Sequence, residues 1–308
     1  MGELVEGGAL PENCSTIFGE SLLTSLPPIY SLSDCVECPC GHYRLEKATF
    51  EHIEPMKPKP FIPGVVCSVN ESKLPHFRSA LDTLMTRPEL CDTAEIRLDA
   101  LRPQLFQVWA QILQLAQCKP IILTFRSKEH GGHEVISLEE RLAFWCGVGG
   151  LVESNGVEMF VDWELDIHEV YSKSVGGRRF LPSFPWRQVI ASEHDFEGTP
   201  TNPGELLFRL EDTKAEAFLK LVTRANSERD VERLRMLFDG RGDPRSLASF
   251  AMGALGEPSR FECMNWGSCA TYGYLEGYGS AAPGQVSVQT LMAHPSVQRA
   301  RRMLGLCE

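Results

Sequence analysis

The chain has 308 residues, of which 43% are hydrophobic and 23% charged, and its formal net charge is −11. This length allows one large domain or two small ones at roughly 150 residues each, and the composition is that of a globular protein. Because an acidic chain is a poor general binder of phosphate backbones and anionic surfaces, we expect neither nucleic acid nor a membrane as a partner. A few local arginines can still bind a small anion.

The first residues favour a cytoplasmic location. Residues 1–10 include Glu3 and Glu6 and no basic residue, which fits neither a secretory signal nor a transit peptide. No run of about 18 apolar residues occurs, so we expect no transmembrane helix. The 11 cysteines are scattered along the chain, and we interpret them mostly as reduced, buried thiols.

Residues 1–59 differ in composition from the rest of the chain. They contain clusters of Gly, Pro, Ser and Cys and little periodic apolar pattern, and a Pro- and Lys-rich stretch over 55–60 predicts an extended linker. We therefore predict an irregular leader over 1–59 and a folded domain over 60–308. In the leader, Cys35, Cys38, Cys40 and His42 are possible zinc ligands. The distant second pair of ligands of a closed zinc site is missing, which favours a loop of reduced thiols.

From Phe61 onward, short apolar runs alternate with helical patterns. The runs predict strands over 62–69, 93–98, 120–125, 159–165, 188–191, 218–223, 247–252 and 269–274. Helices are predicted over 72–86, 137–152 and 227–238, and the second begins with a capping-box sequence at Ser137. Eight βα units in about 250 residues predict an α/β fold of the (β/α)8, or TIM, barrel type. A doubly wound open sheet is the alternative.

Several common functional fingerprints are absent from the sequence. There is no G-x-G-x-x-G after the first strand, no P-loop, no G-x-S-x-G and no H-E-x-x-H, which disfavours nucleotide binding, serine hydrolysis and zinc proteolysis. The segment His130-Gly-Gly-His133-Glu134 could supply metal ligands. A mobile glycine loop is the favoured interpretation, and we predict no metal site.

Polar residues stand near the ends of several predicted strands, where a barrel carries its chemistry. They are Glu95, Arg97 and Asp99 on the second strand, Arg126 after the third, His194 after the fifth and Lys220 within the sixth. The alternation of side chains along a strand places Glu95, Arg97 and Asp99 on one face. We expect this face to point inward and to form part of a pocket.

Lys220 is the candidate nucleophile. Strands of a parallel barrel have no solvent edge, so a lysine within one either reaches outward or lies in the core near the pocket. We expect guanidinium groups to flank it and, with partial desolvation, to favour the neutral amine, which could attack a carbonyl and form a Schiff base. His194 would transfer protons because imidazole titrates near neutral pH. Arg97, Arg126 and Arg260 would bind an anionic substrate, so the residues predict a Schiff-base lyase or aldolase.

The chain resembles the type I 3-dehydroquinate dehydratases over nearly all of residues 61–295. The motifs that carry the resemblance are Glu95-Ile-Arg97-Leu-Asp99, Thr124-Phe-Arg126 with Gly131-Gly132, Asp162-Trp-Glu164, Ser192-Glu-His194-Asp-Phe196, Lys220-Leu-Val, Met252-Gly253 with Ser259-Arg260, and Ala282-Pro283-Gly284-Gln285. Each motif is weak alone. Their order and their places on the predicted strands make the resemblance specific.

The resemblance implies a (β/α)8 barrel that converts 3-dehydroquinate to 3-dehydroshikimate and water, in the shikimate or the quinate pathway. It assigns Lys220 to an imine with the substrate ketone. It assigns His194 to removing a proton from the neighbouring carbon and to protonating the departing hydroxyl. The protonated imine is the electron sink, so no metal or organic cofactor is expected. The implied substrate-binding residues are Glu95, Arg97 and Arg126 at the ring hydroxyls, and Arg260 and Gln285 at the carboxylate.

Two positions depart from the family pattern. His130 stands before the Gly-Gly loop, where family members commonly carry an acidic residue that would orient the catalytic histidine. Ala281 stands where many have Ser, so one hydrogen bond to the substrate carboxylate would be lost. These departures leave an alternative function open, that of an inactive dehydratase-like sensor of quinate metabolism. Retention of Lys220 and His194 favours the enzyme. The Ala-Pro-Gly-Gln segment disfavours another Schiff-base barrel such as an aldolase. The expected partner is the small-molecule substrate, with a homodimer left open.

Overall fold

A computed structural model describes residues 64–154, 159–172, 188–213, 215–241 and 247–307, together with two short strands earlier in the chain. These two are β1 (Cys35–Glu37) and β2 (Tyr43–Leu45), which pair in antiparallel fashion and were not predicted from the sequence. The predicted linker over 55–60 lies outside the described residues. So do three of the four possible zinc ligands, Cys38, Cys40 and His42.

Parallel strands alternate with helices along the rest of the chain. The strands are β3 (Val65–Val69), β4 (Thr93–Arg97), β5 (Ile121–Thr124), β6 (Met159–Glu164), β7 (Val189–Asp195), β8 (Phe218–Arg224), β9 (Leu247–Met252), β10 (Thr271–Tyr274) and the short β11 (Val286–Ser287). The α-helices are α1 (Leu74–Thr86), α2 (Trp109–Cys118), α3 (Leu138–Ser154), α4 (Leu165–Ser172), α5 (Gly204–Glu211), α6 (Glu228–Met236), α7 (Glu257–Trp266), α8 (Val288–Ala293) and α9 (Pro295–Met303). Short 3-10 helices cover Pro88–Leu90, Leu98–Gln107 and Lys128–His130. Strands β3 to β10 confirm the eight strands predicted from the sequence.

The strands form one parallel sheet in the order β10-β3-β4-β5-β6-β7-β8-β9, and β11 pairs with the outer side of β10. The two ends of this series meet at a seam, where Cys269 N donates to Leu247 O at 2.8 Å. Ser249 N donates to Ser268 Oγ at 3.1 Å at the same seam. Because the strand order follows the chain order without the reversal of a doubly wound sheet, the fold is the predicted (β/α)8 barrel.

The core consists of an apolar layer between strands and helices and of the barrel interior. Strands β3, β4, β5, β6 and β9 are buried at every residue, as expected where helices cover one face and side chains fill the other. In α1, Phe77, Leu81 and Leu84 are buried at helical spacing. Each such side chain stabilises the fold by about 1.5–3 kcal/mol.

Local sequence fixes the start of α3 as predicted. Glu140 N donates to Ser137 Oγ at 3.2 Å, and Ser137 N donates to Glu140 Oε2 at 3.0 Å. This reciprocal pair satisfies two backbone donors that the first helical turn leaves without partners. Across the described ranges, no helix combines the length and the apolar composition needed to cross a bilayer.

Two glycine-containing loops shape the carboxyl end of the barrel. Gly131 has a φ of 84°, and a Cβ atom on Gly132 would lie 2.0 Å from the carbonyl oxygen of Arg126, so the loop after β5 folds tightly back on itself. Gly284 has a φ of 67°, and its Cβ would lie 2.5 Å from Gly253 O. Because Gly253 N donates to Pro283 O at 3.1 Å, the Ala-Pro-Gly-Gln segment is held against the end of β9.

Candidate active site

A pocket opens at the carboxyl ends of the strands, the end at which barrels carry their active sites. Every residue predicted from the sequence to act on a substrate lines it: Glu95, Arg97, Arg126, His194, Lys220, Arg260 and Gln285. They come from the three strands β4, β7 and β8 and from the segments that follow β5, β9 and β10. Their roles remain predictions, but the structure brings all of them into one pocket.

Other residues complete the lining. They are Ser68, His130, Gly131, Phe196, Val222, Phe250, Met252, Tyr272, Ala281 and Ala282. The sequence analysis did not single out Ser68 or Tyr272, although a polar side chain within a buried strand was the available signal. Ser68 Oγ donates to Glu95 Oε2 at 2.5 Å. Ser68 therefore helps to orient a carboxylate of the pocket.

Lys220 lies at the centre of a buried ion-pair cluster and is only 3% exposed. Its Nζ is 3.0 Å from Asp162 Oδ2 and 3.4 Å from Glu95 Oε1. It also lies 4.0 Å from the centre of the Tyr272 ring, a cation–π contact. The sequence predicted guanidinium groups beside Lys220. The charged groups in direct contact with it are carboxylates, because β4 and β6 direct them across the barrel interior, and Arg126 binds the same oxygen of Asp162.

The two carboxylates beside Lys220 are ionised. Burial alone would raise the pKa of Asp162, but Arg126 and Lys220 outweigh burial and lower this pKa to about 2. The pKa of Glu95 is likewise lowered, since Lys220 and Arg126 outweigh the effect of burial. Thr124 Oγ1 donates to Glu95 Oε1 at 3.0 Å. These two carboxylates therefore hold the amine of Lys220 in a fixed position within the pocket.

His194 is held by a guanidinium group. Arg126 Nη1 lies 2.8 Å from Nδ1 and 2.7 Å from Nε2 of His194, while Arg126 Nη2 donates to Asp162 Oδ2 at 2.5 Å. Burial, followed by the positive charges of Arg126 and Lys220, lowers the pKa of His194 well below its usual range. The prediction that this imidazole titrates near neutral pH is wrong. His194 is neutral at pH 7 and is therefore available as a base.

Arg260 is a buried cation that forms no ion pair with any described carboxylate. It is 1% exposed, and burial lowers its pKa to about 10. Its Nη1 donates to Tyr272 O at 3.1 Å, whereas Nε and Nη2 have no hydrogen-bond partner in the part of the chain that the structure describes. Since an unpaired buried charge is costly, these donors suit an anionic group of a ligand. Gln285 lines the same pocket and accepts from Ala281 N at 2.6 Å.

Arg97 faces the pocket and is held from behind. Its Nη2 donates to Asp99 Oδ2 at 2.9 Å and to Gly131 O at 2.8 Å. Strand β4 ends at Arg97 and a 3-10 helix begins at Leu98, so Asp99 lies in that helix and does not line the pocket as the alternation predicted. Asp99 instead anchors the guanidinium group that does.

The two histidines of the glycine loop contact different partners. His130 Nε2 lies 3.5 Å from Asp166 Oδ2, and the hydrogen bond with Asp166 raises the pKa of His130. His133 Nε2 lies 2.7 Å from Asn70 Oδ1, and His133 does not line the pocket. Within the described residues, no group of three or more His, Cys, Asp and Glu side chains is arranged to hold a metal ion.

Comparisons with solved structures reproduce the fold. The crystal structure of type I 3-dehydroquinate dehydratase from Clostridium difficile matches with a TM-score of 0.61 at 21% identity, covering 80% of this chain and 94% of that one. The 3-dehydroquinate dehydratase from Geobacillus kaustophilus matches with a TM-score of 0.60 at 21% identity, covering 90% and 98%. At these identities the likeness shows the barrel fold.

Sequence comparisons identify the family. A relative named 3-dehydroquinate dehydratase from Methanocaldococcus jannaschii is 30% identical over 212 residues, which are 69% of this chain and 90% of the relative. One from Streptococcus suis is 28% identical over 202 residues, 64% of this chain and 83% of that protein. The model of the type I 3-dehydroquinase family matches residues 71–295, nearly the whole barrel. The chain therefore belongs to the type I 3-dehydroquinase family of hydro-lyases, which confirms the predicted family and enzyme class.

Proposed function

We propose that this protein is a 3-dehydroquinate dehydratase that removes water from its substrate through an imine on Lys220. One observation carries the proposal: a buried amine, a neutral imidazole and an unpaired guanidinium group line the same pocket. An elimination beside a ketone on a carboxylated ring needs an electron sink, a base and an anion site. Lys220, His194 and Arg260 supply these three functions.

Substrate binding begins at Arg260. Its free donors suit the carboxylate of 3-dehydroquinate, and Gln285 lies in the same pocket to bind it as well. A charge-assisted hydrogen bond to a buried guanidinium contributes about 1.5–3 kcal/mol. Glu95, Arg97 and Arg126 offer acceptors and donors for the ring hydroxyls. Their own ion pairs fix their positions before the substrate arrives, which limits the entropy lost on binding.

Imine formation follows at Lys220. The neutral amine attacks the ketone carbon, a C–N bond forms, and the carbonyl oxygen leaves as water with the two amine protons. The imine that results is protonated and draws electrons from the adjacent carbon. It supplies the electron sink that a metal or an organic cofactor would provide in other enzymes, so the reaction requires neither.

The elimination itself requires two proton transfers. His194 removes a proton from the carbon beside the imine, and the electron pair moves onto the imine nitrogen. The electrons then return, the C–O bond breaks, and the hydroxyl takes a proton and leaves as water. Hydrolysis of the imine releases 3-dehydroshikimate and restores Lys220. This product belongs to the shikimate and quinate pathways.

The direct test is turnover together with trapping. Purified protein is incubated with 3-dehydroquinate while absorbance of the conjugated product is followed, and a parallel sample receives borohydride. We expect turnover, and irreversible inactivation with one reduced adduct on the peptide that contains Lys220. Turnover without an adduct would contradict the imine. Binding of 3-dehydroquinate without turnover would favour the sensor.

A further inference from the structure

Two histidines line the pocket, and their neighbours are opposite in charge. Arg126 lies within 2.8 Å of both ring nitrogens of His194, whereas His130 faces the carboxylate of Asp166 at 3.5 Å. Burial and Arg126 lower the pKa of His194, while the hydrogen bond with Asp166 raises that of His130. The first imidazole is kept ready to accept a proton, and the second is kept ready to donate one. Opposed shifts of this kind separate an acid from a base within one active site.

The surroundings of His130 fix its orientation. The tight turn at Gly131 follows it directly, and Gly131 O is held by Arg97. Asp166 is in turn bound by Arg141, which also donates to Glu164 at 3.0 Å. Nε2 of His130 is therefore directed at a carboxylate that is itself fixed in position.

The second ring nitrogen of His130 remains available. Among the described residues, no side chain or backbone atom forms a hydrogen bond with Nδ1, and the side chain is 21% exposed. Solvent can thus reach the ring and return a proton to it. An imidazolium with Nε2 bound to a carboxylate has its Nδ1–H free to donate.

The charged and titratable groups around His130 come from several elements. They are Asp166 on α4, Glu164 on β6, Glu129 beside it, Glu193 and His194 on β7, and Arg141 on α3. The hydrogen bond with Asp166 and the charge of Glu164 raise the pKa of His130, whereas burial and Arg141 lower it, and the net shift is upward. Burial raises the pKa of Glu164 to about 6, and that of Asp166 is lowered, so above about pH 6 both carboxylates are ionised and stabilise the imidazolium.

We propose that His130, held by Asp166, is a catalytic residue that protonates the departing hydroxyl, while His194 acts only as the base. This inference rests on the proposed dehydration. The balance is complete: His194 gains the proton from carbon, the C–O bond breaks, and the hydroxyl takes the proton from Nδ1 of His130 and leaves as water. His194 then releases its proton, and His130 regains one from solvent.

The test compares His130→Gln with His133→Gln, a variant of the same loop whose side chain lies outside the pocket. We expect kcat of His130→Gln to fall by about 10²-fold or more, the contribution of one positioned acid. Wild-type kcat should decline at alkaline pH as His130 loses its proton, and this decline should be absent in His130→Gln. Borohydride should still trap 3-dehydroquinate on Lys220 in this variant. His133→Gln should match the wild type in all three measurements.

A second variant distinguishes an effect on the protonation of His130 from an effect on the structure of the loop. Asp166→Asn keeps His130 but removes the carboxylate that raises its pKa, so the alkaline decline should move to lower pH. Wild-type kcat in His130→Gln, or reduced kcat with the alkaline decline unchanged, would overturn the assignment. Wild-type protein that neither turns over nor traps 3-dehydroquinate would reject the proposed function and this inference with it.

Discussion

Two buried lysines, Lys119 before β5 and Lys220 within β8, have different partners. Lys220 is 3% exposed and Lys119 is 7% exposed, so burial does not distinguish them. Lys119 Nζ donates to the carbonyl oxygens of Pro88 and Cys91, both at 2.9 Å, and lies 3.2 Å from Cys91 Sγ. Lys220 instead faces two carboxylates and an aromatic ring.

The two lysines differ in access to a ligand. Lys119 contacts two carbonyl oxygens and a thiol, and it holds the turn before β4 in place. Lys220 instead opens onto a pocket that carries further charged groups. Burial of a lysine therefore says little about catalysis, whereas access to a ligand among charged partners says much.

Replacing each lysine by methionine should give the largest contrast. Lys220→Met should abolish turnover and borohydride trapping, and it should destabilise the protein by about 3–5 kcal/mol because buried carboxylates lose their partner. Lys119→Met should leave kcat unchanged and lower the free energy of unfolding by about 1–3 kcal/mol, since carbonyl groups lose a donor. Steady-state kinetics and denaturant unfolding measure both.

A Lys220→Arg variant controls for folding, because it keeps the positive charge without a nucleophilic amine. It should fold and remain inactive. Substantial turnover by either Lys220 variant would contradict a catalytic role for Lys220 that Lys119 lacks.

Two buried arginines also differ in their partners, and we expect replacement of the unpaired one to have an effect of intermediate size. Arg141 is paired with Glu164 and Asp166, whereas Arg260 has no acidic partner among the residues that the structure describes. Arg260→Gln should raise KM by about 10- to 100-fold through the loss of a charge-assisted hydrogen bond, with a smaller change in kcat. Because an unpaired buried charge is removed, the free energy of unfolding should not fall. A variant with unchanged KM and reduced stability would indicate that Arg260 is structural.

Replacement of Tyr272 gives the smallest expected change in stability and in kcat. Its hydroxyl is buried and, within the described residues, has no hydrogen-bond partner, while its ring contacts Lys220. Tyr272→Phe keeps the ring and removes the unsatisfied hydroxyl, so stability should rise by about 1 kcal/mol with kcat within a few-fold of wild type. Denaturant midpoints and kcat test this. A large drop in kcat together with higher stability would show that the hydroxyl serves the substrate.

The sequence was sufficient to predict the barrel because each strand carries a local signal. Apolar runs such as 121–124 and 247–252 are short, bounded and buried on both faces, and the motifs stand where those runs end. Alternation also placed Glu95 and Arg97 correctly on the inward face. These features depend on neighbours within about ten positions along the chain.

Local sequence patterns did not indicate which charged side chains meet inside the barrel. Lys220 lies 58 positions from Asp162 and 125 from Glu95, and their contact depends on the stagger of strands around the barrel. The pairing of His130 with Asp166 depends in the same way on the loop after β5 reaching α4. Because protonation states follow from these distant contacts, local patterns could not predict that His194 is neutral or that Lys220 faces carboxylates.

The seam between β9 and β10 has a mechanical consequence. The other barrel strands share ladders of several register pairs, whereas this seam is held by a backbone bond from Cys269 to Leu247 and the bond from Ser249 to the Ser268 hydroxyl. Local opening starts where the fewest backbone bonds must break. Local opening of the barrel should therefore begin at this seam. Arg260 follows β9 and Gln285 follows β10, the two strands that border the seam. An anion bound to both side chains would link the two strands and slow amide hydrogen exchange in each of them.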